Sequence, residues 1–122
     1  MFIKIIGIII FSIYIIIFIL KYNYLFKKRK EKLGYYNTLI WASKNGDIEM
    51  VKEEIALGEN INIQDEDGFT ALMYASYNGN MEIVRELIKY GANINIKDKY
   101  GKTALDYAKE EGYNDIVDFL ME

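Results

Sequence analysis

The spacing of three glycines constrains this chain more than any other feature: Gly46, Gly79 and Gly112 each stand 33 residues from the next. The same offset superposes Leu39, Leu72 and Leu105; Ala42, Ala75 and Ala108; Val51, Val84 and Val117; and the aromatic residues Trp41, Tyr74 and Tyr107. A whole segment recurs as well, since Gly58-Glu-Asn-Ile-Asn-Ile-Gln-Asp65 returns as Gly91-Ala-Asn-Ile-Asn-Ile-Lys-Asp98. A fixed period of this length marks a unit repeated along the chain. One such unit cannot cover its own apolar face, so adjoining copies must stack.

Within a copy the residues predict two short antiparallel helices and a loop. Thr70 is placed to cap a helix running to about Asn78, where Gly79 supplies a left-handed stop. A second helix starts near Asn80 and sets Ile83, Val84, Leu87 and Ile88 on one face, leaving Glu82, Arg85, Glu86 and Lys89 to water. Gly91 ends it. Asn93-Ile-Asn-Ile-Lys-Asp98 then alternates polar and apolar, as a loop pinned by inward isoleucines would, before Tyr100-Gly101 turns the chain into the next helix.

At these residues a resemblance is plain. Asp67-Gly-Phe-Thr-Ala-Leu-Met-Tyr-Ala-Ser, then Gly79-Asn-Met-Glu-Ile-Val-Arg-Glu-Leu-Ile, then Gly91-Ala-Asn-Ile-Asn resemble an ankyrin repeat, over about residues 35 to 122. The resemblance implies an all-α solenoid of three helix-turn-helix repeats, about 35–66, 67–99 and 100–122, with short hairpin loops projecting from the stack. It also implies protein binding without catalysis. The family's Pro-Leu-His after threonine is replaced by Ala71-Leu72-Met73, Ala104-Leu105-Asp106 and Thr38-Leu39-Ile40, so the histidine hydrogen bonds of consensus repeats are missing. The outer copies are expected to differ as end caps do, because their outward faces meet solvent. Glu54 accordingly stands where later copies have Leu87 and Leu120, and Tyr35 where they have Gly68 and Gly101, while the last copy reaches Glu122 without a following hairpin.

Ahead of the repeats, Ile5 to Leu20 holds no charged residue. Sixteen such residues make roughly 24 Å of helix, and twenty, if Lys4 lifts its ammonium to the head groups, make about 30 Å, the thickness of a bilayer's hydrocarbon core. A transmembrane helix over residues 1–20 is therefore expected. A cleaved export signal is the rival reading; the apolar run is long for one, and no small-residue cleavage pattern follows, the first alanine being Ala42. Tyr22, Tyr24 and Phe26 suit the lipid interface. Lys21, Lys27, Lys28, Arg29, Lys30 and Lys32 then form a basic stem over residues 21–34, against Lys4 alone on the other side, which places the repeats in the cytoplasm.

The charge divides the same way: residues 1 to 34 carry seven basic side chains and one acid, or +6, and residues 35 to 122 carry eight and seventeen, or −9. So acidic a domain repels phosphate backbones, and nucleic acid is not an expected partner. The chain has no cysteine and no histidine, which excludes disulfides, the usual structural zinc sites and Ser-His or Cys-His nucleophiles. The acid run Asp65-Glu66-Asp67-Gly68 fails the EF-hand pattern, since its first and twelfth positions would be Ile63 and Tyr74, and it reads as a solvated hairpin tip. Glu110 and Glu111 diverge by about 100° on a helix and form no acid/base pair. No catalytic residue, metal or cofactor is expected, and a small membrane enzyme built on the acid run is the weakest reading. Abundant isoleucine, lysine, asparagine and tyrosine with no proline fits an AT-rich bacterial genome.

In the ankyrin family, partners usually meet the hairpin tips and the inner helix face. Carried onto this chain, that implies protein binding by Tyr36, Lys44, Asn45, Glu66, Asp67, Phe69, Tyr77, Asn78, Lys99, Tyr100, Lys102, Glu110 and Glu111. Tyr36, Phe69, Tyr77 and Tyr100 stand out, because large rings among charges contribute contact area at low entropic cost. Trp41, Tyr74 and Tyr107, sharing one register beside an alanine, read as core packing. The chain as a whole reads as a membrane-tethered module that binds another protein; the alternative is an exported ankyrin-repeat protein freed by signal cleavage.

Overall fold

Five short helices of the repeat region begin with a side chain that closes their own first turn. Asn37, Asp47, Thr70, Asn80 and Thr103 each accept a hydrogen bond from the backbone N–H three residues on, at 3.0, 3.0, 3.2, 3.3 and 3.3 Å. Such caps satisfy donors that a helix start otherwise leaves open, at about 1 kcal/mol each. They define helices α2 (Thr38–Asn45), α3 (Ile48–Ala56), α4 (Ala71–Tyr77), α5 (Met81–Lys89) and α6 (Ala104–Glu111), followed by α7 (Asn114–Met121) and preceded by a long α1 (Phe2–Lys32). The computed structural model describes residues 1–32 and 37–122, with side chains for residues 1–28 and 37–122. Among the described residues there are seven helices and no strand.

The chain divides into two units, Met1–Tyr35 and Tyr36–Glu122. In the first, α1 continues without a break through the basic residues after Leu20. Within Phe2–Lys28 a stretch of 18 residues has a mean hydropathy of 2.9 and none of that stretch is buried within the structure, so α1 is long and apolar enough to cross a membrane.

In the second unit the helices pair as α2 with α3, α4 with α5 and α6 with α7, and α4 lies between α2 and α6. Small residues at the shared register, Ala42, Ala75 and Ala108, are fully buried and let the inner helices approach. Behind them Leu39, Val51, Ile83, Val84, Leu87 and Ile116 are also fully buried. Each such aliphatic side chain contributes about 1.5 to 3 kcal/mol by leaving water. The three period-marking glycines share one backbone setting, with φ of 73°, 72° and 78° at Gly46, Gly79 and Gly112, as stacked copies of one unit require.

Two expectations are corrected here. Glu54 does not face solvent: only 1% exposed, it lies on the same face of α3 as Met50 and Val51, which turns inward. Ile94 does not pin its loop from inside, being 37% exposed. The Asn93 side chain accepts the Asn95 N–H at 2.9 Å, and this Asx turn interrupts the extended chain on which the alternation depends. The earlier copy has the same turn, from Asn62 N–H to Asn60 at 3.0 Å.

Candidate functional site

Between the helix pairs the chain makes two hairpins, each anchored at its base by an aspartate. Asp65 N–H donates to the Phe69 carbonyl at 2.9 Å, and Asp98 N–H to the Lys102 carbonyl at 3.0 Å. One oxygen of each carboxylate gathers the hairpin's own donors: Asp65 takes the N–H groups of Asp67 and Phe69 at 3.0 and 2.9 Å, and Asp98 those of Tyr100 and Lys102 at 2.9 and 3.0 Å. The other oxygen accepts a tyrosine hydroxyl from the following helix, Tyr74 onto Asp65 at 2.7 Å and Tyr107 onto Asp98. Asp65 is thus a structural anchor at the hairpin base, while its neighbours Glu66 and Asp67 form the exposed tip.

Burial of both phenols, and then the carboxylate beside each, push the Tyr74 and Tyr107 hydroxyls well above the ordinary tyrosine range. For Asp98, burial acts to raise the carboxyl, but the donors from Tyr107, Lys102 and Tyr100 outweigh it and hold the group below the usual carboxylate range. Asp106 is lowered as well, chiefly by the Thr103 N–H.

Phe69, just ahead of the Thr70 cap, and the tyrosines of the inner helices form a connected row. Phe69 lies 5.1 Å from Tyr74 and 5.3 Å from Tyr107, and Tyr77 meets Tyr107 edge-on at 6.0 Å. Lysines sit above two of the rings, Lys44 5.5 Å from the centre of Tyr74 and Lys102 5.5 Å from that of Tyr107. Tyr107 is buried, as its register predicts, but Trp41 and Tyr74 are only half-buried and belong partly to the surface.

Among the candidate contact residues, Asp67 and Lys99 meet directly and join the two hairpin tips, with Lys99 N–H also donating to the Asp67 carbonyl at 3.0 Å. Tyr100 projects beside them, 65% exposed. Lys102 reaches the Glu110 carboxylate at 2.8 Å, which links the second hairpin to α6. On the other side Asn78 donates to the Lys44 carbonyl at 3.0 Å and joins α4 to α2, while Asn45 is turned back onto the Trp41 carbonyl at 2.8 Å. Glu66 and Glu111 are exposed. Phe69 is half-buried in the ring row, and Tyr77 is 47% exposed at its edge. Tyr36 lies outside the described residues.

Sequence reasoning passed over Asp98, the hydroxyls of Tyr74 and Tyr107, and Gln64, whose amide bridges the hairpins by donating to the Gly68 and Lys97 carbonyls at 2.8 and 3.1 Å. The signal for the first was present, since Asp65 and Asp98 keep the repeat spacing and each precedes its tyrosine by nine residues.

A family model of three ankyrin repeats matches residues 39–122. The chain belongs to the ankyrin-repeat family. None of the curated proteins matches it. Ankyrin repeats are protein-interaction modules, and this stack keeps the family's threonine cap without its histidine. Thr70 N–H meets the Met73 sulfur at 3.4 Å, and Thr103 N–H meets the Asp106 carboxylate at 2.9 Å. Contacts between neighbouring repeats come instead from Asn78, Gln64 and the Asn93 N–H, which donates to the Asn62 side chain at 2.8 Å.

Proposed function

We propose that this ankyrin-repeat chain is a membrane-tethered interaction module that captures another protein through its hairpin tips and inner helix face. The observation that carries the reading is the row Phe69, Tyr74, Tyr107 and Tyr77, partly open to solvent, bordered by Lys44 and Lys102 and by the exposed ring of Tyr100. Rings flanked by charge match the composition of binding hot spots, where aromatic side chains supply area and cations add specificity. The contact set comprises Lys44, Asn45, Glu66, Asp67, Phe69, Tyr77, Asn78, Lys99, Tyr100, Lys102, Glu110 and Glu111, together with Tyr36.

Tethering rests on α1, whose apolar length suits a bilayer and whose basic residues at the C-terminal end favour the cytoplasmic side for the repeats. Anchoring would raise the effective concentration of a partner at the same surface. The surface is tested by replacing Tyr77 and Tyr100 with alanine in the full-length chain and recovering partners from native membranes. Capture should fall while the far-UV helical signal stays unchanged; undiminished capture removes these rings from the contact set. Intact mass of the native protein decides the anchor, because an exported module freed by signal cleavage lacks residues 1–20.

A further inference from the structure

Within α1, ten of the sixteen residues from Ile5 to Leu20 are isoleucine, and the exceptions are not scattered. Gly7, Phe11, Tyr14 and Phe18 follow one another at steps of four, three and four. At about 100° per residue they fall in one sector about 60° wide, and Leu25 continues the line one heptad beyond Phe18. The opposite face, through Ile9 and Ile16, is uniformly aliphatic. A step averaging about 3.5 residues is the seam of two helices wound left-handed, the commonest hand of helix packing in membranes.

One residue on this seam requires a partner. Tyr14 stands 71% exposed on the helix surface, about 2 Å along the axis from the centre of Ile5–Leu20. With α1 spanning the bilayer, the head groups lie about 15 Å away on either side, farther than a phenol reaches. A hydroxyl left in hydrocarbon without a hydrogen bond is costly. Ser12, off the seam, can return its hydroxyl to the carbonyl one turn back, but tyrosine is too long for that contact. The group certain to occur at the same depth is the Tyr14 of a second copy, since every copy inserts in the same direction. A phenol both donates and accepts, so one Tyr14 hydroxyl can donate to the other where the two helices meet near a two-fold axis, and each then takes part in a hydrogen bond. Gly7, where an added Cβ would meet nothing within 4 Å, leaves the backbones room to approach, and Phe11 and Phe18 can stack on their counterparts.

We infer that α1 pairs in parallel with α1 of a second copy of this chain along Gly7, Phe11, Tyr14 and Phe18, with the Tyr14 hydroxyls bonded across the seam. This rests on the reading of α1 as a membrane span. The pair would present two repeat stacks on one side of the bilayer, giving bivalent capture.

Because the chain has no cysteine, single substitutions report the geometry cleanly. Leu25→Cys lies on the seam and Asn23→Cys roughly opposite, both near the membrane's edge, and both leave the proposed contacts intact. On mild oxidation in native membranes, the full-length Leu25→Cys chain should give about tenfold more disulfide dimer than Asn23→Cys, since only facing positions bring the sulfurs within bonding range. By energy transfer between labelled full-length chains in lipid vesicles, Tyr14→Phe should weaken association about threefold, the typical effect of one hydrogen bond between membrane helices. Equal cross-linking from both faces, or no cross-linking, in a chain that resists alkaline extraction overturns the pairing alone. A chain released by alkaline extraction overturns the span, and the pairing with it.

Discussion

The hydroxyl of Tyr107 donates to the carboxylate of Asp98, nine residues earlier in the chain, and so ties α6 to the hairpin that leads into it. The same carboxylate holds the Tyr100 and Lys102 N–H groups, so one side chain fixes the angle between hairpin tip and inner helix. Tyr74 and Asp65 repeat the arrangement one copy earlier. The first copy has Trp41 at the tyrosine position, and an indole carries no hydroxyl.

Tyr107→Phe should therefore destabilise the repeats by about 1.5 to 3 kcal/mol, the range for a hydrogen bond to a charged group, because it leaves a buried carboxylate short of one donor. Tyr74→Phe should have less effect, since Tyr74 and Asp65 are only half-buried. Urea unfolding of both variants measures the difference, and equal losses would contradict this ranking.

The direction of the pH dependence follows from the same groups. Asp98 and Asp106 have carboxyls depressed in the folded state, so the unfolded chain binds protons first as the solution is acidified. Their stabilisation is complete above about pH 4 and is lost as pH falls through their lower folded values. Tyr74 and Tyr107 act at the other end, their raised hydroxyls giving stability that is present below about pH 10 and lost as pH rises further. Thermal unfolding across pH should thus decline at both extremes. Asp106→Asn, which can still accept the Thr103 N–H but cannot ionise, should flatten the acid side.

Gly68 and Gly101 occupy the same turn in successive hairpins, with φ of 83° and 76°. An alanine at either bears the strain of a left-handed backbone, about 1 to 2 kcal/mol. At Gly68 its Cβ would also stand 2.9 Å from the Asp98 Cα and the Lys99 N of the next hairpin, backbone atoms that cannot swing aside, whereas at Gly101 it would meet nothing within 4 Å. Gly68→Ala should consequently lower the melting temperature more than Gly101→Ala, and the excess reports how closely the two hairpins stack.

Much of this arrangement was legible in the sequence because it repeats. The Thr70 cap and the helix start at Asn80 fall where they were expected, since capping is decided within one turn of chain. Glu54 and Ile94 were misplaced for one shared reason: polarity along a single copy does not reveal what the folded chain lays over it. A carboxylate beside Val51 is buried with that face, and an Asx turn of two residues overrides alternation. The role of Asp98 was hidden differently, because its importance lies in a hydroxyl nine residues away that period-counting had assigned to the core.

Phe69 and Tyr100 look alike as candidate contact rings, but the structure gives them different neighbours, and their alanine variants should separate folding from binding. Phe69 is half-buried and packs on both Tyr74 and Tyr107, so Phe69→Ala opens the ring row and should destabilise the stack by about 2 kcal/mol, less than the full loss for a wholly buried ring. Tyr100 projects from the hairpin tip, 65% exposed and with the Lys99 ammonium 5.1 Å from its ring centre, so Tyr100→Ala should change stability by no more than about 0.5 kcal/mol. Any fall in partner capture by Tyr100→Ala is then a loss of contact, whereas a fall with Phe69→Ala mixes contact with distortion of the surface. Measuring melting temperature and capture on the same preparations distinguishes them: a Tyr100→Ala chain that melts like the parent and binds as well would move the contact surface away from the hairpin tip and onto the row formed by Tyr74, Tyr77 and Tyr107.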